Sequence, residues 1–548
     1  MTSHTDPLHS RRLFQVAGEL AGAAVPELAD ASSVDVLEVL LRGDVPPPGP
    51  VDGSKRLRRA AFVSTRGEAA RGAYEVGEVS LVRPATPYGQ SLSDLRPRLI
   101  RHLNHDSRWL VRDPRRARVL REARAHSLIV LPLTIRDVVL GLFVLYRRDE
   151  SSPFDENDFR EAAALADRAA RCLNTVRRQI EEEALARLLR RSQLPERLPP
   201  LSALEAAHGH VPAEAATGQW FDVLPLSSAR VALVVGAAEG KGVDAAIGMT
   251  RLRAVITTLS ALDLRPDELL TRLDDTVIRL ERQRPAPCRG PREAEQTGTS
   301  CLYVIYDPAT ERCVSARAGG PTLMIAHPNG DVSAPRLAPH SPLGVGDQPF
   351  ENTEFEAPPG STLLLNGGCS PTPHTTADPT MERFHEALAS SGPDVSRLRD
   401  HMLRDLPPDR EPTLLLTRTR ALEAKDVATR TLPPDPTAVA TARDWAGRQL
   451  AAWALDDLTD STTLVISELV TNAIRYSDGP IGLRLIRDDR TLICEVSDTS
   501  GSGPHRRQPK TTDEGGRGLS IVSRLTQHQG TRYTASGKII WTEQPLPA

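Results

Sequence analysis

Apolar residues in this chain follow two rhythms that change along its length. In "HSLIVLPLTIRDVVLGLFVLYRR" (126–148) two apolar runs flank a charged turn at Arg136 and Asp137. The pattern predicts a hairpin of buried strands, because Pro132 and the turn charges interrupt any run long enough for a membrane span. "SPFDENDF" (152–159) then has the Ser- and Asp-rich look of a helix start. From Phe159 the residues Ala162, Ala166, Ala169, Leu173, Val176 and Ile180 recur at alternating steps of three and four, the spacing of a coiled-coil seam. A helix continuing to Ser192 is roughly 50 Å long at 1.5 Å per residue. Such a helix can carry a signal between domains and pair two chains, or fold back on its own domain. Upstream, residues 1 to about 45 show helix-like apolar spacing and end in the linker-like "PPPGP" at 46–50.

A Pro-punctuated junction, "RRSQLPERLPPLSAL" (190–204), opens a different pattern. "GQWFDVLPLSSARVALVVGAAEGKGVDAAIGMTRLRAVITTL" (218–259) predicts strand, turn, strand, turn and helix. Further strands are expected at "TSCLYVIYD", "TLMIA" and "STLLLN", with a polar, Pro-rich insert at 283–298 that has the make-up of a mobile loop. A last module begins at "LPPDPTAVATARDWAGRQLAAWAL" (432–455), with Asp435 as N-cap and Pro436 in the first turn. A second helix, "DSTTLVISELVTNAIRYS", precedes a hairpin with alternating Ile481, Leu483, Leu485 and then Leu492, Cys494, Val496.

Length and composition narrow the class. A chain of 548 residues is too long for one core, so about three domains are expected. A net charge of −3 with 25% charged residues leaves no nucleic-acid footprint. Cys172, Cys288, Cys301, Cys313, Cys369 and Cys494 are scattered without CxxC pairs or zinc spacing, as in a reducing cytosol. The N-terminus lacks an apolar signal core, so a cytoplasmic protein with protein and small-molecule partners, and neither nucleic acid nor membrane, is expected.

Residues 1–178, through "HSLIVLPLTIRDVVLGLFVLYRR" and "PFDENDF", resemble the GAF sensor domains that precede phosphatase modules in actinobacterial regulators. The resemblance implies an α/β sensor with an unidentified small ligand, coupled onward by a helix over 159–194. No Cys or His sits in a recognisable chromophore or haem motif.

Near the C-terminus, Glu468 and Asn472 lie four apart in "SELVTN" and share a helix face. Asp498 ends a strand. "DEGGRGLSIV" places Gly515, Gly516 and Gly518 ahead of another helix, where backbone N–H groups can approach phosphate. Between them runs a lid-like stretch, "TSGSGPHRRQPKTT", whose Arg506, Arg507 and Lys510 are either phosphate contacts or a solvated loop. In this order and spacing, residues 425–548 resemble the GHKL ATPases, an α/β sandwich, and among them the RsbW-like and SpoIIAB-like anti-sigma factor serine kinases. The resemblance implies that Asn472 holds Mg²⁺ with ATP, that Asp498 accepts the adenine amino group, and that Glu468 is the general base toward a substrate hydroxyl. Gly501, Gly515, Gly516 and Gly518 complete the implied nucleotide set. Two departures stand out: the Asp-x-Gly triplet reads Asp498, Thr499, Ser500, with Gly501 and Gly503 following, and Glu514 stands where Arg is common.

Residues 195–420, through "GQWFDVLPL", "VALVVGAAEGKGVDAA", "RAGGPTLMI" and "SPLGVG", resemble the SpoIIE subfamily of PPM-type serine/threonine phosphatases. That family holds two Mn²⁺ or Mg²⁺ ions in a cluster of Asp carboxylates on a β-sandwich with flanking helices. Here the four expected Asp positions are Gln219, Ala237, Gly367 and Arg410. A degenerate phosphatase domain without bound Mn²⁺ is expected. The alternative is an active phosphatase using Asp222, Glu239 and Glu411 as substitute ligands. Lys241, in place of the family's His, is either an exposed turn residue or a stand-in cation holding Glu239 or Asp222.

Together these readings predict a multidomain α+β signalling regulator of a partner-switching pathway, with an anti-sigma factor antagonist or sigma factor as partner, and they allow a homodimer. The tail is expected to bind ATP and Mg²⁺ and to act as a serine/threonine kinase, or to use ATP only to set a partner-gripping conformation.

Overall fold

The computed structural model describes residues 7–42, 46, 48–51, 56–66, 72–104, 106–148, 150–193, 198, 201–210, 217–283, 298–346, 348–367, 379–390, 392, 394–404, 413–501, 518–534 and 536–547. The chain divides into two compact units, Met1–Leu188 and Leu189–Ala548. No helix among the described residues is long and apolar enough to cross a membrane.

The first unit runs α1 (Pro7–Ala23), β1 (Ala31–Leu37), β2 (Arg56–Ser64), β3 (Val79–Leu81), α2 (Pro87–Asp94), β4 (Arg98–Ile100), α3 (Arg108–Val111), α4 (Pro114–Glu122), β5 (Ala125–Ile135), β6 (Val138–Arg148) and α5 (Glu156–Gln193). The strands form one antiparallel sheet in the order β3-β2-β1-β6-β5-β4. The expected hairpin is β5–β6, turning at Arg136, which takes a left-handed φ of 52°. The helix-like spacing expected up to residue 45 holds for α1 but not for 31–37. That stretch is β1, between β2 and β6 and buried at all seven positions. A strand covered on both faces shows no alternation, so its period is invisible in the sequence.

Helix α5 starts where the sequence marks it, with Asp155 Oδ1 accepting the N–H groups of Asn157 and Asp158 at 2.7 and 2.9 Å. Its seam does not stand free. Ala162, Ala166, Ala169, Leu173 and Ile180 are buried in the same core as Leu13, Ala17 and Leu20 of α1, and Arg12 of α1 pairs with Glu183 at 3.0 Å. Of the two readings of the seam, folding back on its own unit is the one realised.

The second unit begins with β7 (Leu204–His210), β8 (Thr217–Pro225), β9 (Val231–Lys241), α6 (Gly242–Ser260), α7 (Pro266–Arg282), β10 (Ser300–Asp307), β11 (Arg312–Ala318), β12 (Thr322–Ala326), β13 (Val332–Ser333), β14 (Thr353–Glu356), β15 (Thr362–Asn366), α8 (Pro379–Ala389), α9 (Val395–Arg404) and β16 (Thr413–Thr419). Two five-stranded sheets, β14-β11-β10-β9-β8 and β13-β12-β15-β16-β7, pack face to face through Phe221, Leu233 and Leu302 against Leu323, Leu363 and Leu415. Met249, Leu252 and Leu269 of α6 and α7 cover the outer face of the first sheet around Trp220 and Val234. Phe384 and Leu398 of α8 and α9 cover the second against Leu364 and Leu414. This is the expected β-sandwich with flanking helices.

The chain continues through β17 (Val427–Leu432), α10 (Thr437–Ala452), α11 (Thr459–Tyr476), β18 (Ile481–Arg487), β19 (Thr491–Asp498), α12 (Gly518–Leu525), β20 (His528–Thr534) and β21 (Gly537–Pro545). A sheet in the order β17-β18-β19-β21-β20 is packed on α10 and α11 through Ala442, Ala446, Val465 and Leu469. Asp435 Oδ1 accepts the Thr437 N–H at 2.8 Å at the start of α10, while Pro436, expected in the first turn, stands at the N-cap position itself.

Candidate functional site

The sandwich brings three of the four expected metal-ligand positions together. Gln219 on β8 and Ala237 on β9 are direct cross-strand partners. The pleat turns both toward the second sheet, because Phe221 and Val223, and Leu233 and Val235, on the same alternation lie in the core between the sheets. Gly367, just past β15, lies against β9 from the opposite sheet: a Cβ placed on it would be 3.5 Å from the backbone N and O of Gly236. An amide, a methyl and a hydrogen thus meet at the positions where the resemblance leads one to expect carboxylates. Arg410, Gly368 and Glu411 lie outside the described residues.

This donor set does not fit two hard cations, which take several oxygen ligands, usually carboxylates. Among the described residues no group of three or more His, Cys, Asp or Glu is arranged to hold a metal. Gln219 Oε1 is buried without a hydrogen-bond partner among the described residues. Beside it, the buried guanidinium of Arg190 from the last turn of α5 donates to the Gln219 carbonyl oxygen at 3.4 Å, placing a permanent positive charge next to the position.

The substitute ligands are placed elsewhere. Asp222 alternates with Gln219 and shares its sheet face with Trp220, toward the helices. There Arg253 of α6 holds its Oδ2 with two N–H groups, at 2.8 and 3.1 Å. Glu239 is exposed at the end of β9. Lys241 precedes α6 without a side-chain cap bond and forms no ion pair with either carboxylate among the described residues, so it is not their stand-in cation. Gly236 keeps its place for a packing reason: a Cβ there would meet the Trp220 ring at 2.6 Å and the Ser300 carbonyl oxygen at 2.6 Å.

In the C-terminal module, Val465, Ile466, Leu469, Val470 and Ala473 bury one side of α11. Glu468 and Asn472, one turn apart, are left half-buried. Asp498 closes β19 and is 5% exposed. Its Oδ1 accepts the Ser500 N–H at 2.8 Å and the Lys538 ammonium at 3.0 Å. Lys538, on β21, is the cross-strand partner of Asp498 and is itself 4% exposed. The turn after α11 is tied to the same strand end, Ser477 Oγ lying 2.7 Å from Thr499 Oγ1 and accepting the Thr499 N–H. Thr499, a departure from the family triplet, is therefore a packing element. Gly501 follows, exposed, and Gly518 opens α12; Gly515, Gly516, Glu514 and the lid cations Arg506, Arg507 and Lys510 lie outside the described residues.

These residues fit ATP at its base. Oδ2 of Asp498 makes no hydrogen bond among the described residues, so a buried acceptor is available to an amino group. The Lys538 ammonium beside it adds a donor that the sequence reading missed. Only strand pairing reveals Lys538, forty residues away in the chain.

A family model described as "Stage II sporulation protein E (SpoIIE)" matches residues 227–413, one described as "Histidine kinase-like ATPase domain" matches 432–542, and one described as "GAF domain" matches 51–173. No curated protein matches. Among solved structures, the RsbU and RsbW domains of a Mycobacterium tuberculosis protein are 23% identical, covering 64% of this chain and 97% of that one, with a TM-score of 0.36. The PP2C phosphatase domain with a regulatory fragment of SpoIIE from Bacillus subtilis is 12% identical over 40% of this chain and 63% of that one, with a TM-score of 0.32. The GAF-B domain of DevS from Mycobacterium smegmatis is 18% identical over 30% and 96%, with a TM-score of 0.22. The chain thus carries, in order, a GAF domain, a SpoIIE-type PPM phosphatase domain and a histidine kinase-like ATPase domain.

Proposed function

We propose that this chain is a regulator of a partner-switching pathway: the C-terminal module phosphorylates a serine or threonine of an anti-sigma factor antagonist, the SpoIIE-type module is a metal-free scaffold, and the GAF domain senses a small ligand. One observation carries the reading. Gln219, Ala237 and Gly367 converge without a carboxylate, whereas Glu468, Asn472 and Asp498 keep the chemistry their module needs.

Mg-ATP, when bound, supplies the phosphoryl group. Asp498 Oδ2 orients the base through its amino group, and Lys538 adds a donor at the same edge. Asn472 would offer its side-chain oxygen to the Mg²⁺ that accompanies ATP. Glu468, one helical turn away, takes the proton from the substrate hydroxyl. Transfer needs little beyond this positioning and charge neutralisation.

The test uses the full-length chain with a candidate antagonist and labelled ATP. Label is expected on the antagonist and is lost in Glu468→Gln, with ATP affinity retained. Label-free antagonist alongside ATP-dependent complex formation would replace the kinase by a binding module. In parallel, no phosphatase turnover on a phosphoserine peptide is expected with or without Mn²⁺. Mn²⁺-dependent turnover would overturn the scaffold.

A further inference from the structure

The GAF domain encloses a cavity of about 250 Å³ between its sheet and helices α2 and α4. That is just below the roughly 300–1,000 Å³ of drug-sized ligand sites, a volume suited to a single ring with a substituent and too small for a dinucleotide. Its polar lining is one-sided: four arginines, Arg59, Arg66, Arg116 and Arg148, face one acid, Glu122.

Two of these cations are already neutralised. Asp35 takes the Arg59 guanidinium through both oxygens, at 2.7 and 3.2 Å, and Asp113 takes Arg116 at 2.8 Å. Among the described residues Arg66 forms an ion pair only with the exposed Glu150, at 3.9 Å. Arg148 is 6% exposed, yet it has no carboxylate within ion-pair distance among the described residues. Its one side-chain bond runs from Nη2 to Ser64 Oγ at 2.6 Å. Burial, first, and the neighbouring Arg66 charge act against its charged form and outweigh the more distant Asp30 and Glu150 carboxylates, which favour it, so its pKa is lowered. Tyr88 adds a hydroxyl that is 99% buried with its residue, lies beside the Tyr146 side chain on the same wall, and makes no well-aligned hydrogen bond among the described residues. Its ring lies under the Arg116 guanidinium at 4.4 Å and is thereby held in place. Phe62, Val119 and Leu120 supply the apolar part of the wall.

A buried guanidinium that no carboxylate touches is costly unless something else solvates it. From this we infer that the cavity binds a small organic oxyanion of one-ring size, its negative group held by Arg148 with Arg66 at the mouth and by the Tyr88 hydroxyl, its ring against Phe62 and Leu120. The inference rests on the reading of this domain as a ligand sensor and names the class of its ligand. Anion binding completes the charge balance of the cavity, so the liganded domain is the more stable one.

The experiment uses the full-length protein with benzoate and inorganic phosphate as anionic probes and benzamide as the neutral isostere of benzoate. Binding is read by calorimetry, and the thermal midpoint is read with and without probe. Benzoate is expected to bind saturably and raise the midpoint, with benzamide at least about tenfold weaker, the size of a lost charge-assisted hydrogen bond. Phosphate binding as well as benzoate would mark the oxyanion as sufficient without the ring. Tyr88→Phe is expected to weaken benzoate while leaving the unliganded midpoint in place. Arg148→Met is expected to abolish benzoate binding and to raise the unliganded midpoint, because it removes a buried charge that no carboxylate touches. Equal binding of benzoate and benzamide would overturn the anion while leaving the ligand sensor intact. No binding of any probe, together with a lowered midpoint in Arg148→Met, would overturn both.

Discussion

At Gly236 one added methyl group would stand against the Trp220 ring and the Ser300 backbone, both of which are held by the sandwich. Gly236→Ala is therefore expected to destabilise the SpoIIE-type module by about 1–3 kcal/mol, as over-packing does, read as a lower denaturation midpoint. An unchanged midpoint would mean β9 is looser at Gly236 than its packing indicates. At the other site, Lys538 and Asp498 form a buried pair with side chains 5% and 1% exposed. Removing one partner leaves the other charge stranded, so Lys538→Met is expected to cost about 3–5 kcal/mol. Asp498→Leu combined with Lys538→Met should recover much of that stability, since an apolar pair can replace a buried ion pair, while ATP binding stays lost. ATP binding by the double variant, measured by calorimetry, would remove Asp498 from the nucleotide site.

At the scale of elements, α5 presents the clearest choice between two outcomes. The seam residues that could have paired two chains are spent on α1 and the sheet, with Ile180 and Leu173 fully buried in that core. Ile180→Ala should therefore destabilise the first unit by about 2–5 kcal/mol and leave the molar mass in solution unchanged. Loss of a dimer with no change in thermal stability would instead place the seam between chains. The alternating steps of three and four were visible in the sequence, but a seam looks the same whether its partner is another chain or its own domain.

At the scale of the second unit, a buried polar knot ties the SpoIIE-type sandwich to the ATPase-like sheet. Arg532 of β20 donates to Ser227 and Ser228, in the turn between β8 and β9, at 3.3 Å each, and to Glu495 of β19 at 3.0 Å. Arg484 of β18 grips the other oxygen of Glu495. Burial pushes the Glu495 carboxyl up, but the flanking Arg484 and Arg532 outweigh it and hold the pKa below the usual glutamate value. A depressed carboxyl pKa contributes stability that is complete above the unfolded-state value, about 4.3, and is lost as pH falls through the lower folded value. The thermal midpoint of the second unit should accordingly fall on acidification below that range, and fall less steeply in Glu495→Gln. Equal acid limbs in the two proteins would show that Glu495 does not hold the knot. Arg532→Met, which leaves Glu495 with Arg484 alone, should lower the midpoint at neutral pH.

Local patterns were enough to determine the three modules, their order, the β5–β6 and β8–β9 hairpins and the capped starts of α5 and α10. Periodicity, caps and motif spacing are properties of neighbours in the chain, and they survive without any fold. Tertiary structure alone decided that 31–37 is a central strand, that the α5 seam faces inward, and that Asp222 is held by Arg253 on the far side of its sheet. It alone brought Lys538 to Asp498 and left Arg148 in the GAF cavity with no carboxylate in contact among the described residues. Those facts depend on which strands pair and which faces are covered, and a side chain's partner across a sheet can lie any distance away in the sequence.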